Sequence, residues 1–301
     1  MLPTVPKPDR AVLNKRDSYP GQVPDSGSVG AVGAVGSPAM GRGVLRPELA
    51  AARFQLARTP PSAGLAPFVE FYWILRWDLR GQPPHEQTIL PHPNVNLAFE
   101  ASGPAVYGVD RKIFTRRLSG VGKALGIRFR PGGFRPFSSK PIFSLNDRVV
   151  PAARLFGPAA DQACTEVMAA GADDEMIAAA AGLLRSFDAA EDPAVEQAAG
   201  LVKRITEDPG LQRVAQLAKM SGLSERKLQR LFSDYVGVSP KWVMRRARLH
   251  EAALRVDADG LASVDWAALA ADLGYADQAH LTRDFTATLG VPPTRYAAVR
   301  Q

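Results

Sequence analysis

Two groups of side chains in the C-terminal third have the chemistry to read the edges of DNA bases. The first is Arg226, Lys227, Gln229 and Arg230, with Ser233 after them. The second is Gln278, Ala279, His280, Thr282 and Arg283. A guanidinium can donate two parallel hydrogen bonds to guanine, and a carboxamide can both donate to and accept from adenine. Arg226, Gln229, Arg230 and Ser233 recur at helical spacing, opposite a stripe of Leu228, Leu231, Phe232 and Tyr235. In the second group Leu281 and Phe285 mark the inward side. Ala279 has no donor and can offer at most an apolar contact to a thymine methyl.

An Arg/Gln face alone is commonly just solvated, so the elements that hold it decide the reading. Here they form a repeat. Leu217-Ala218 and Gly222 return as Leu269-Ala270 and Gly274, 52 residues later. Leu228-x-Arg230-x-Phe232 returns as Leu281-x-Arg283-x-Phe285, and Gly237-Val-Ser-Pro240 as Gly290-Val-Pro-Pro293, both 53 residues later. Each copy has the parts of a helix-turn-helix. Small residues let two helices approach, and a glycine stands where the first helix must stop and turn through left-handed backbone. Ser224 and Asp277 are suited to cap the second helix. Residues 240–254, PKWVMRRARLHEAAL, predict a connecting helix with Trp242, Leu249 and Ala253 on one face. Lys241, Arg245, Arg246 and Arg248 make it basic, and Lys241, Arg245 and Arg246 are the expected phosphate contacts.

The remaining segments divide by composition. Residues 1–46 are Gly/Pro-rich and predict a disordered tail, with Met40 as an alternative start. Residues 47–157 hold short aromatic and β-branched runs broken by Gly, Pro and Asn, which predict a strand-rich sandwich or barrel-like domain. In it Phe71, Trp73 and Trp77 alternate and read as core. Residues 158–192 are alanine-rich and acidic, and predict a helical linker or dimerisation segment. Residues 193–301 form the all-α double helix-turn-helix domain, so the fold class is α+β overall.

Charge follows the same division. The net charge is +7; residues 1–157 carry +11, residues 158–192 carry −7 and residues 193–301 carry +3. The 46% apolar content suits a globular core, and no apolar run reaches membrane-spanning length. Cys164 is the single cysteine, which excludes an internal disulfide and fits a reducing cytoplasm; a buried thiol is expected there. Enzyme chemistry finds little support. His85 and His92 flank proline-rich turns and lack metal-ligand spacing. SGVGKAL has a GxGK fragment but neither the upstream glycine nor the Ser/Thr of a phosphate loop. Gly132-Gly133 reads as a tight turn. No metal, cofactor or catalytic residue is expected.

Taken together, LAKMSGLSERKLQRLF, RARLHEAAL and LGYADQAHLTRDFTATLGVPPTRY resemble the AraC/XylS family of bacterial transcription regulators over about residues 193–300. The resemblance implies two recognition helices in successive major-groove segments of double-stranded promoter DNA. Arg226, Lys227, Gln229 and Arg230 would be the first reader, and Gln278, Ala279, His280 and Arg283, with Thr282 beside them, the second. It implies activation through RNA polymerase as the usual mode. It also implies an N-terminal domain that senses a small-molecule effector or forms a homodimer, and a cytoplasmic, nucleoid-associated protein. LAPFVEFYWIL, LPHPNVNLAFE and GIRFRPGGFRPF are similar to an uncharacterised domain often found ahead of such a unit. They name no ligand.

Overall fold

Residues 52–208, 210–259 and 264–293 are described by a computed structural model. The expected tail over 1–46 and the Thr294–Tyr296 end of the family signature lie outside the described residues. From Gln55 to Pro151 the chain forms β1 (Gln55–Thr59), β2 (Val69–Leu79), β3 (His85–Ile89), β4 (Asn96–Phe99), β5 (Ala105–Tyr107), β6 (Phe114–Leu118), β7 (Gly120–Phe129) and β8 (Val149–Pro151). They make a six-stranded sheet in the order β1-β2-β7-β4-β5-β8 and a two-stranded sheet, β3-β6. All the pairings are antiparallel. The GxGK fragment lies inside β7, where it is extended chain and no phosphate loop. Gly132 (φ 85°) makes the expected turn, closed by Gly133 N–H donating to Arg130 O at 2.8 Å.

The long pairing of β2 with β7 gives the sheet two different faces. Tyr72 and Ile74 are buried in the main core with Leu125 and Ile127. A register shift between Val69 and Phe71 puts Val69 in that core too. Here the alternation reading needs correction: Phe71, Trp73 and Trp77 are half-buried and line a cavity of about 210 Å³ between the two sheets. The room for the indoles comes from the partner strand. Trp73 pairs with Gly126 and Trp77 with Gly122, and a Cβ at either glycine would overlap the facing ring.

The other face is covered by helices. After α1 (Ala153–Phe156) come α2 (Ala159–Ala169) and α3 (Asp173–Arg185). Ala160, Ala163, Cys164, Val167, Met176, Ala180, Leu183 and Leu184 join the same core as the sheet. Alanines suit this position because a thin side chain lets a helix lie close to the strands. Arg76 pairs with Asp173 at 2.5 Å, which ties α3 to β2, and Lys123 Nζ donates to Ala170 O at 2.7 Å, which ties the end of α2 to β7. The Cys164 thiol is buried as expected, and burial pushes its pKa up.

The chain continues as α4 (Pro193–Glu207), α5 (Val214–Ser221), α6 (Glu225–Leu231), α7 (Pro240–Asp259), α8 (Trp266–Asp272) and α9 (Gln278–Leu289). Pro193 occupies the first turn of α4, and Asp192 caps it by accepting from Ala194 N–H at 2.9 Å. The predicted order, strands first and helices after, is the order observed. Among the described residues no helix is long and apolar enough to cross a membrane, and no group of three or more His, Cys, Asp or Glu could hold a metal ion.

The tryptophan–glycine pairing can be tested directly. Gly126→Ala inserts a methyl against the Trp73 indole, and overpacking of this kind costs about 1–3 kcal/mol. The urea midpoint should fall with an unchanged slope. An unshifted midpoint would mean that Trp73 does not lie across Gly126.

Candidate nucleic-acid interface

Both copies of the repeat fold as a helix, a tight turn and a second helix. In the first, α5 ends at Gly222 in left-handed backbone (φ 68°, ψ 10°). Ser224 then caps α6, its hydroxyl accepting from Lys227 N–H at 3.3 Å. In the second, α8 turns at Gly274 (φ 71°), and the Asp277 carboxylate caps α9 by accepting from His280 N–H at 2.6 Å. Left-handed backbone costs a residue with a Cβ about 1–2 kcal/mol, which explains glycine at the same place in each copy. Glycine at 274 answers a second demand: a Cβ there would overlap the Gln212 side chain, which approaches from just before α5.

The Leu, Ala and Phe positions of the repeat are buried in both copies, while Val238 is buried and its counterpart Val291 only half-buried. Leu217, Ala218, Leu228 and Phe232 match Leu269, Ala270, Leu281 and Phe285. Each recognition helix runs twelve residues from cap to glycine. In the first copy the last five, Phe232–Val236, widen into a π turn closed by Gly237 N–H on Phe232 O at 2.8 Å. In the second the helix stays α throughout and ends at Gly290 (φ 74°).

The outward faces carry the expected side chains. Arg226, Lys227, Gln229 and Arg230 are exposed on α6; Gln278, Ala279, His280 and Arg283 are exposed on α9, with Thr282 half-buried. Arg230 keeps 84% of its side chain exposed, with a loose 3.6 Å pairing to Asp234 one turn on. Exposed pairs of this kind contribute about 0–1 kcal/mol, so the guanidinium is free to find another partner. His280 rests its ring edge-on against Tyr275 at 5.1 Å between centroids, and the buried phenol of Tyr275 is pushed up to about 12.

The basic connecting helix is less uniform than its sequence. Lys241 is exposed. Arg245 is half-buried and pairs with Asp284 of α9 at 2.9 Å. Arg248 lies over the Tyr275 ring at 4.7 Å and donates to Gly274 O at 3.3 Å. Arg255 bridges Glu251 and Asp272, each at 3.0 Å. These contacts fasten α7 to the second unit. Arg246 departs from the expected phosphate contact. It is only 4% exposed, and its Nε donates to Pro91 O at 2.5 Å, because it sits on the α7 face that packs towards the strand-rich region. Trp242 is likewise half-buried at the margin of the main core, while Val243, Met244, Leu249, Ala252 and Ala253 of α7 are buried.

One cap escaped the sequence reading. Asp265 precedes α8 and accepts from Ala267 and Ala268 N–H at 2.9 and 3.0 Å. Its signal was present: an acidic residue directly before an apolar helical run. Removing the caps tests the local geometry. Ser224→Ala or Asp277→Ala should each lower stability by about 1 kcal/mol, read from urea unfolding. A larger exchange increase at α6 or α9 amides than elsewhere should accompany it in hydrogen exchange. No change in either measurement would contradict the caps.

Two segments match known domain models. Residues 57–151 match a domain of unknown function, DUF6597, and residues 217–298 match a helix-turn-helix domain. No curated protein matches the chain. Among solved structures, the chain is similar to ToxT from Vibrio cholerae at 12% identity and a TM-score of 0.36, over 82% of this chain and 98% of that one. It is also similar to ToxT from Vibrio cholerae O395 bound to (E)-4-(8-methylnaphthalen-1-yl)but-3-enoic acid, at 11% identity and a TM-score of 0.36, over 83% and 100%. At such TM-scores the likeness decides nothing about ligand or mechanism. The local geometry and the domain match agree on the C-terminal third: the chain carries a helix-turn-helix domain preceded by a DUF6597 domain, which supports a DNA-binding transcriptional regulator.

Proposed function

We propose that the protein is a sequence-specific activator that places α6 and α9 in successive major-groove segments on one face of promoter DNA. The observation that carries this reading is the pairing of exposed Arg230 and Arg283 at equivalent places in two separately capped helices. Arg226, Lys227, Gln229 and Arg230 read the first segment. Gln278, Ala279, His280, Thr282 and Arg283 read the second, one groove repeat of about 34 Å away. The two faces differ in chemistry, so the site read by one subunit is asymmetric. Lys241 and Arg245 contact phosphates, the latter by exchanging Asp284 for the backbone; Arg246, turned inward, takes no part.

In this reading residues 47–157 sense a signal, residues 158–192 connect or dimerise, and residues 193–301 bind DNA. The cavity under Phe71, Trp73 and Trp77 has the aromatic lining that a small apolar effector needs. RNA polymerase is the partner through which bound protein activates, on the nucleoid.

The test uses the full chain and the tightest duplex it selects from a random pool, with a scrambled duplex of equal composition beside it. Arg230→Ala and Arg283→Ala should each cost about 1–3 kcal/mol on the selected duplex and much less on the scrambled one, by fluorescence anisotropy. Lys241→Ala should weaken both equally and reduce the salt slope by about one. Equal losses on both duplexes for the arginine variants would overturn base reading. Transcription from the selected site with purified RNA polymerase should rise when protein is added, and a fall would overturn activation.

A further inference from the structure

Each reading helix ends on a left-handed glycine, Gly237 after the π turn of the first and Gly290 after α9. Each glycine rests against a different loop of the strand-rich region. Asn146 donates to Gly237 O at 2.6 Å. A Cβ at Gly237 would stand 2.8 Å from Asn146 Oδ1 and 3.0 Å from Ile142 Cγ2. Ile113 packs against the apolar cluster of the second unit, and its Cδ1 lies 3.7 Å from where a Cβ on Gly290 would stand.

The two loops, residues 108–113 and 142–148, are fastened to each other. Gly108 N–H donates to Arg148 O at 3.0 Å, and Asp147 N–H to Val109 O at 3.1 Å. The backbones come so close that a Cβ at Gly108 would overlap Leu145 O. The Asp147 carboxylate accepts from Arg111 N–H at 2.8 Å and from Arg111 Nε at 2.7 Å, with Nη2 on the same oxygen as Nε. Asp147 holds left-handed backbone (φ 55°), as no other non-glycine residue does among the described residues. Aspartate visits that region more readily than most residues, but the conformation is still costly and persists where the surroundings impose it. It lets Asn146 reach Gly237 while the next carboxylate reaches Arg111. The Arg111 side chain is 57% exposed, and a pair at such exposure adds little stability. Three donors on one carboxylate nevertheless define a geometry.

We propose that the Arg111–Asp147 clasp is a positioning device for DNA reading: it joins the seats of Gly237 and Gly290 and so fixes the spacing between α6 and α9. Two routes then connect the reading helices. One is α7, which belongs to both apolar clusters. The other is the pair of clasped loops, which meets each reading helix at the end away from its cap. With α7 alone, bending of that helix lets the second unit drift. With both routes the spacing is set, and the distance between the two DNA segments is selected with it. Arg111 and Asp147 act through the helix ends and not on bases. Their role presupposes α6 and α9 in successive groove segments, as proposed above.

The full-length protein is measured by fluorescence anisotropy on its selected duplex, and on duplexes with one base pair inserted or removed between the two segments of the footprint. One base pair turns the second segment by about 35° and moves it by about 3.4 Å. The native protein should lose about tenfold or more on either altered duplex, comparable to the cost of a mismatched base pair. Asp147→Gly suits the left-handed backbone and removes the carboxylate. It should melt cooperatively, bind the selected duplex within about twofold of native, and lose only about threefold or less when the spacing changes, because the clasp adds geometry more than stability. Arg111→Ala should do the same. Asp78→Asn breaks an exposed pair with Arg80 outside both loops and should keep the native spacing penalty. The clasp is overturned, and the two-helix reading left standing, if both clasp variants keep the full penalty or if Asp78→Asn relaxes it equally. A native protein indifferent to spacing overturns both.

Discussion

The burial of the first helix-turn-helix unit is the constraint on which the rest of the structure turns. Helices of eight and twelve residues are too short to stand alone in water. Leu217, Ala218, Leu228, Phe232 and Val236 therefore need apolar partners, and they find them in the main core, with Phe134, Ile142 and Leu145 of the strand-rich region. Polar contacts fix the same seam. Asn146 donates to Gly237 O at 2.6 Å, the Tyr235 hydroxyl to Asp192 at 2.5 Å, and Arg130 pairs with Glu196 at 2.8 Å. The aim of α6 is thus set by the sheet and its flanking loops. The second unit closes instead around Leu249, Ala252 and Ala253 of α7, with Leu90 reaching in from the strand-rich region.

Helix α7 belongs to both cores. Val243 and Met244 lie in the first, and Leu249, Ala252 and Ala253 in the second. A helix is stiff over this length, so its rotation is transmitted from one unit to the other. Its basic side chains follow the same logic. Arg245, Arg248 and Arg255 are engaged with Asp284, Tyr275, Glu251 and Asp272. Each of these contacts contributes little by itself at partial exposure. Their joint effect is to specify one angle between α7 and the α8–α9 pair, which short helices on a small cluster would otherwise leave loose.

What was legible in the sequence was local. A left-handed glycine, an Asp or Ser cap and a Leu/Phe stripe act within a few residues, so Gly222, Ser224, Leu228 and Phe232 could be placed, and their repeat confirmed them. Strand identity was legible for the same reason. Facing was not. In β2 both alternating sets, Tyr72 with Ile74 and Phe71 with Trp73, are apolar, and the choice of core face depends on α2 and α3 from a hundred residues later. The tryptophans also left a trace that went unread. Trp73 and Trp77 are four apart, as are Gly122 and Gly126, and an antiparallel register brings the pairs together. Charge was the least legible feature. Arg245, Arg246 and Arg248 look alike in sequence, yet one pairs with a carboxylate, one is buried and one lies on an aromatic ring.

Arg246 shows why such a difference bears on regulation. A ligand shifts an equilibrium only by its difference in affinity between two states. A group in the strand-rich cavity acts on α6 through packing alone, because no charge there belongs to the helices. Arg246 lies on α7 itself, where the Pro91 carbonyl of the strand-rich region takes its Nε–H donor. Couplings between sites in proteins amount to about 1–3 kcal/mol and are reciprocal. Control through α7 would therefore be graded, changing DNA affinity by factors of about 5–150. A helix shared by two cores suits that role, since a small change in its setting alters the spacing of both reading helices at once.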